Sequence, residues 1–197
     1  MRNALKRLVV AAPTLWLLGG GAALADPQGT AALTIGVAGV GEDRMLWDDT
    51  VFHLGIYGDV LFGRNRNSDF GIGPYVAVAT HAFDEIQFGG GVSTLLPIID
   101  YLPIVLSTGA YGRIGDDEYG LEPGLAVQLF WGSRSYNFHS SYVMAAGIMA
   151  QFRLGLGESK ETAFVIGAEL DFAAMSLPFI FLINAVRGGS PDTDPVR

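Results

Sequence analysis

The chain has 197 residues, half of them hydrophobic, with 12 Lys and Arg against 20 Asp and Glu and a formal net charge of −8. So acidic a balance excludes nucleic acid as a partner, because a phosphate backbone needs a basic face. There is no cysteine, which excludes disulfides, cysteine-based zinc sites, thiol nucleophiles and a lipid-modified N-terminal cysteine.

Residues 1–25 read as an export signal. Arg2, Lys6 and Arg7 precede an apolar stretch from Leu8 to Leu18, broken by Pro13, and small residues come next, ending Ala23-Leu24-Ala25. A basic start, a short apolar middle and an A-x-A end predict cleavage after Ala25. Losing three basic residues leaves the remainder more acidic still. Beyond that point no stretch of about 18 uncharged apolar residues appears, so no helical membrane crossing is expected.

Strict alternation organises the rest of the chain. Successive side chains of a strand point to opposite faces, so apolar residues two apart mark one greasy side. The first strand is predicted from Thr30 to Val40, with Leu33, Ile35 and Val37 on one face. The second, Val51 to Phe62, sets Phe52, Leu54, Ile56, Val60 and Phe62 against His53, Gly55, Tyr57 and Asp59. The third runs from Asp69 to His81, the fourth from Glu85 to Leu95 and the fifth, with weaker alternation, from Ile104 to Ile114. The sixth, Leu121 to Trp131, sets Leu125, Val127 and Leu129 against Glu122, Gly124 and Gln128. The seventh is read from His139 to Leu154 and the eighth from Glu161 to Phe172. Short turn-like links between them imply antiparallel neighbours in an up-and-down order.

Ten residues at about 3.3 Å, tilted by roughly 40°, span about 25 Å, the height of an outer-membrane apolar band. Phe52 and Phe62, like Phe164 and Phe172, stand near opposite ends of one greasy face, where aromatic girdles belong. On strand number, alternation and signal, residues 30 to 172 resemble the small eight-stranded outer-membrane barrels of the OmpA/OmpX type. The resemblance implies an all-β fold: an eight-stranded antiparallel up-and-down transmembrane β-barrel over residues 26–174. It also implies a location in the cell outer membrane of a Gram-negative bacterium, with the lipid bilayer and the outer-membrane assembly machinery as partners. One departure stands out. Members of that type usually finish on a strand with a terminal aromatic, whereas here residues 175–197 add an apolar run, Leu177 to Val186, and a polar tail. The run is expected to lie at the membrane interface or under the barrel, and the tail to be disordered.

The polar face carries Asp59, Glu85, Arg113, Glu122, Arg153, Glu161, Glu169 and Asp171. Charges buried in a narrow lumen must be paired, so these are expected to form an internal ion network. A turn between Asp117 and Glu118 sets Arg113 opposite Glu122, and one centred on Gly157 sets Arg153 opposite Glu161. His53 and His81 share the inward face of neighbouring strands near one rim, beside Asp84 and Glu85, and form a candidate metal rim; no resident metal or other cofactor is expected. His139 and Ser141 form an H-x-S pair like that of an outer-membrane lipid A deacylase family, but Arg153 stands where that family places its Glu. No phosphate loop, dinucleotide fingerprint or H-E-x-x-H motif is present. The expected function is therefore non-enzymatic, with no catalytic residue: a closed barrel with a structural or surface-contact role. A soluble periplasmic ligand-binding barrel and a lipid-modifying enzyme are the alternatives. No soluble partner is specified.

Overall fold

The computed structural model describes residues 26–115, 120–134 and 142–186. The export signal, the turn residues 116–119, the His139 and Ser141 pair and the tail after 186 lie outside the described residues. The elements are β1 (Gln28–Gly41), β2 (Asp49–Leu61), β3 (Gly71–His81), β4 (Glu85–Leu96), β5 (Ile104–Gly115), β6 (Leu121–Arg134), β7 (Ala145–Gly155), β8 (Thr162–Asp171) and α1 (Phe172–Val186). Each strand pairs antiparallel with the next, and β8 returns to β1, closing the barrel. Closure leaves no edge of unpaired backbone groups. The eight-stranded antiparallel barrel is thus the fold that the alternation led us to expect.

The period of two decides which side chains face where. Along β6, Leu121, Pro123, Leu125, Val127, Leu129, Trp131 and Ser133 are exposed, while Glu122, Gly124, Ala126, Gln128, Phe130, Gly132 and Arg134 are buried. On β2, Phe52, Ile56 and Val60 are exposed and His53, Tyr57 and Asp59 are buried. A one-residue slip anywhere would exchange these sets, so the pattern pins the register. The outer wall is apolar and the interior largely polar, the reverse of a soluble barrel.

The interior is not polar throughout. Leu61, Leu95, Val105, Phe130 and Ala145 form a buried apolar cluster near the rim where β1 begins and β8 ends, here called the terminal rim. Ala38, Met149 and Val165 form a second, with Val40 and Val51 against it.

Three cross-strand glycine pairs face the lumen: Gly36 with Gly167, Gly91 with Gly109, and Gly132 with Gly147. A Cβ on Gly36 would lie 2.2 Å from the Ile166 carbonyl oxygen, and one on Gly91 2.1 Å from that of Thr108. These pairs let neighbouring strands fold sharply toward each other, as a narrow barrel requires.

Several boundaries differ from the sequence reading. β6 continues past Trp131 to Arg134. β7 begins at Ala145 rather than His139, and the backbone at Tyr142 forms an isolated bridge with Gly29. β8 stops at Asp171, so the barrel ends there and not at 174. The reason is a helix cap: Asp171 Oδ1 accepts from the backbone N–H of Ala173 at 2.7 Å and of Ala174 at 3.3 Å, satisfying amides that the new helix leaves free. The apolar run is therefore helical. Pro178 sits inside α1, where it removes one helical hydrogen bond. Phe179, Phe181, Leu182 and Ile183 are exposed, and no helix among the described residues is long and apolar enough to cross a membrane.

Between β3 and β4, Asp84 N–H donates to the His81 carbonyl at 3.0 Å, with Ala82 at φ 51° and Phe83 at φ 67°. Left-handed backbone at two residues that are neither glycine nor asparagine costs of order 1–3 kcal/mol each. The tight hairpin holds His81 and Glu85 side by side.

Candidate functional site: the barrel lumen

From the terminal rim upward, the lumen closes in layers. Arg64, just beyond β2, folds inward and is buried; its Nη1 donates to Gln28 Oε1 at 3.0 Å and its Nε to the Asp69 carbonyl at 3.3 Å. The Asp69 carboxylate holds that loop by accepting from the N–H groups of Asn65 and Arg66, each at 2.9 Å. The Leu61 cluster fills the space above.

Next comes an ion pair across the lumen. Arg134 Nη1 donates to Asp59 Oδ2 at 2.9 Å, and Nη2 engages Asp59 Oδ1 and Thr30 Oγ1. Tyr57 donates to the same carboxylate at 3.2 Å and lies 2.6 Å from Ser93 Oγ and 2.8 Å from Ser107 Oγ. Its ring stacks on Tyr75 with centroids 5.6 Å apart.

Two amides bridge the middle. Gln128 and Gln151 are register partners on β6 and β7. Gln128 Nε2 donates to Glu169 Oε2 at 3.0 Å, Gln151 Nε2 to Gln128 Oε1 at 3.0 Å, and Arg153 Nε to Gln151 Oε1 at 2.7 Å. A buried carboxylate and a buried guanidinium are thus joined through polarised amides instead of direct contact. The Arg153 guanidinium lies over the Tyr111 ring, 5.7 Å from its centroid. A cavity of about 20 Å³ beside it, lined by Tyr75, Ala77, Ala79, Gln87 and Tyr111 among others, is large enough for a water molecule.

The opposite rim carries the densest charge. Arg113 Nη1 meets Glu85 Oε2 at 2.9 Å and Glu161 Oε2 at 2.7 Å, and its Nη2 meets Glu122 Oε2 at 2.7 Å. Ser159 closes over Glu122, its N–H donating to Oε1 at 2.8 Å. His81 Nδ1 lies 3.0 Å from Glu85 Oε1, and the Gln87 amide contacts both groups. Burial, reinforced by the Glu85 charge, pushes the Glu161 carboxyl up to about 7, against the pull of Arg113 and Arg153.

Three carboxylates therefore share one arginine here. In a double-mutant cycle, Arg113→Met alone should destabilise more than Arg113→Met combined with Glu122→Gln, because the single change strands a buried charge. Strict additivity in denaturant unfolding would count against the Arg113 and Glu122 pairing.

Most of the residues singled out in the sequence face this lumen, but not all in the arrangement expected. Arg113 and Glu122 are opposite each other. Arg153 is not opposite Glu161; it pairs in register with Ala163. The β7–β8 turn is centred one residue later than Gly157, so the register shifts and Arg153 turns to Gln151. Asp171 serves the helix cap and accepts from the Tyr142 hydroxyl, 2.6 Å away, and forms no ion pair among the described residues. His53 and His81 are register partners with ring centroids 5.3 Å apart, but His53 Nε2 engages Thr34 Oγ1 at 3.1 Å. The sequence reading missed Arg134 and Arg64. Arg134 keeps the inward parity of Glu122 and Gln128, and extending β6 by three residues would have revealed it. Arg64 lies in a loop, where no periodicity applies.

No family model and no curated protein matches the chain. A solved structure with a similar fold is that of Ail, the attachment invasion locus protein of Yersinia pestis, in complex with the heparin analogue sucrose octasulfate. It is 15% identical, with a TM-score of 0.40, and the match covers 74% of this chain and 99% of that one. So loose a likeness adds nothing to the strand order and register already described.

Proposed function

We propose that the chain is a non-enzymatic outer-membrane barrel with a structural role, exported by residues 1–25 and closed to flow. The observation that carries this reading is the inversion of polarity: a closed barrel with an apolar wall outside and buried charge inside. In water such a wall would forfeit roughly 1.5–3 kcal/mol per large apolar side chain, whereas lipid accepts it. Aromatics mark both ends of the wall: Trp47, Phe52 and Phe83 at one rim, Phe62, Phe70 and Trp131 at the other, all exposed. An eight-stranded lumen has room for side chains and little more. Here Arg64, the Leu61 cluster and the Arg134–Asp59 pair fill it.

A structural role is favoured over contact through surface loops. With the termini on the periplasmic side, the outward connections are 42–48, 82–84, 116–120 and 156–161. They are no longer than 62–70, 97–103 and 135–144 on the terminal rim, whereas outer-membrane barrels ordinarily pair short periplasmic turns with longer outward loops, so little chain stands out from the cell for contact. Helix α1, apolar around its circumference, lies in the interface at the terminal rim, and the tail beyond it is periplasmic.

Cell fractionation with gel migration before and after boiling tests the reading. The protein should sediment with outer membranes, and the unboiled band should migrate apart from the boiled one. Recovery as a soluble periplasmic protein with no such shift would overturn it in favour of a ligand-binding barrel. A change in lipid A caused by Ser141→Ala would favour the enzyme.

A further inference from the structure

We infer that His81, Glu85 and Glu161, joined by the Gln87 amide, form a binding site for a divalent transition metal of the zinc type at the mouth of the barrel. The inference goes beyond the structural role and does not depend on the membrane. Each of the three charged or imidazole side chains offers a ligand atom, and those atoms lie within 4.8 Å of one another. Ligand atoms around a tetrahedral zinc ion are about 3.3 Å apart, given bonds of roughly 2.0–2.2 Å, so small side-chain movements close the set. One imidazole with carboxylate oxygens suits zinc better than calcium or magnesium, which seek more oxygens.

Arg113 does not fill this site; it orients it. Its Nη1 holds the Oε2 atom of both Glu85 and Glu161. That leaves the Oε1 atoms: the one on Glu85 beside His81 Nδ1 at 3.0 Å, the one on Glu161 buried with no hydrogen-bond partner. Metal-ligating carboxylates are commonly held in this way by a second hydrogen bond. Glu85, Glu122 and Glu161 converge on Arg113, and a divalent ion at the Oε1 atoms of Glu85 and Glu161 adds positive charge where these carboxyl groups meet. Glu161 is only 7% exposed, so bulk water competes poorly for that position.

Gln87 supplies a further observation. Its Nε2 lies against Glu85 Oε1 and His81 Nδ1, while its Oε1 is buried without a partner. Rotating the amide by half a turn would bring Oε1 to face the Glu85 carboxylate oxygen beside the imidazole, and a cation between the two oxygens turns their repulsion into shared coordination. With the cation present, the rotated amide becomes a fourth ligand. A cavity of about 310 Å³ lined by His81, Asp84, Glu85, Arg113 and Glu161 among others connects the cluster with the rim, giving an entry path. His53, the other histidine of the expected metal rim, is engaged with Thr34 and takes no part.

The test is calorimetric titration of the full chain, folded in detergent micelles, with zinc and separately with magnesium. Wild type should bind one zinc ion per chain saturably, with magnesium much weaker. Glu161→Gln and His81→Ala should each weaken zinc binding about 100-fold or more, and Gln87→Ala roughly 10–100-fold. His139→Ala should leave it unchanged. Folding of each variant is checked by its heat-dependent gel migration, and Gln87→Ala keeps the test open if a charge variant fails to fold. Absence of saturable zinc binding, equal binding of magnesium, or wild-type affinity in the folded variants would overturn the proposal. A chain that binds zinc in micelles yet fractionates as a soluble protein would overturn the membrane role and leave this site standing.

Discussion

Replacing Arg134 with methionine should cost the barrel about 3–5 kcal/mol, the loss expected when one partner of a buried ion pair is removed. Arg134 and Asp59 are 5% and 3% exposed. They reach each other across the lumen from β6 and β2, which are not neighbours in the barrel. Without the guanidinium, Asp59 keeps only the Tyr57 hydroxyl as a side-chain donor among the described residues, and Thr30 loses a partner as well. The double variant Arg134→Met with Asp59→Asn should recover a large part of the loss, because no charge is then stranded. Urea unfolding in phospholipid vesicles checks this, with wild type and all three variants measured in one lipid. Equal stabilities for the single and the double variant would show that the pair contributes packing rather than charge compensation.

Arginine placed on the outer wall should be nearly as damaging, for a different reason. Leu54, Ile56, Val76, Leu129, Ile148 and Ile166 point outward, and Val76, Ile148 and Ile166 are 68%, 59% and 52% exposed. In water an exposed position tolerates arginine. At mid-bilayer the same change costs about 2–4 kcal/mol. Val76→Arg and Ile148→Arg should therefore lower stability in vesicles by that amount. Spin labels at the six positions should meet oxygen readily and polar reagents poorly. Gly55→Arg should also destabilise, but through crowding, because a Cβ there already lies 2.6 Å from Thr34 Oγ1 and 2.9 Å from the Ala79 methyl. Neutral behaviour of the outward arginines, with polar-reagent access at most labelled sites, would remove the bilayer from the account.

The outer wall was legible in the sequence because it depends on parity alone. Ile56 and Val60 share a face whatever their neighbours do. Pairings between adjacent strands were legible where the sequence placed the centre of the link correctly: Arg113 faces Glu122, as a centre between Asp117 and Glu118 requires. The β7–β8 link is longer, and a shift in its centre was enough to send Arg153 to Gln151. Contacts across the lumen were not legible at all. Asp59 was recognisable as a buried charge, but its partner is 75 positions away, and their meeting depends on the width and stagger of the whole barrel. The metal cluster mixes the two cases. Sequence parity put His81 beside His53 and near Glu85, whereas Glu161 arrives from a loop whose register the alternation did not set.

The facing glycines have a consequence for how this protein can vary. In a soluble domain the large apolar residues are the least replaceable, because each fits a rigid mould. Here those residues meet lipid tails, which rearrange around any apolar outline, so Val76 and Ile148 should tolerate exchange among leucine, isoleucine, valine and phenylalanine. Rigidity lies at the emptiest positions instead. Gly36, Gly91, Gly109, Gly132, Gly147 and Gly167 each stand where a single added methyl would strike a neighbouring strand's backbone. The ordinary map of mutational tolerance is turned inside out: the greasy exterior can drift, and the circumference of the barrel is kept by the residues with nothing to lose.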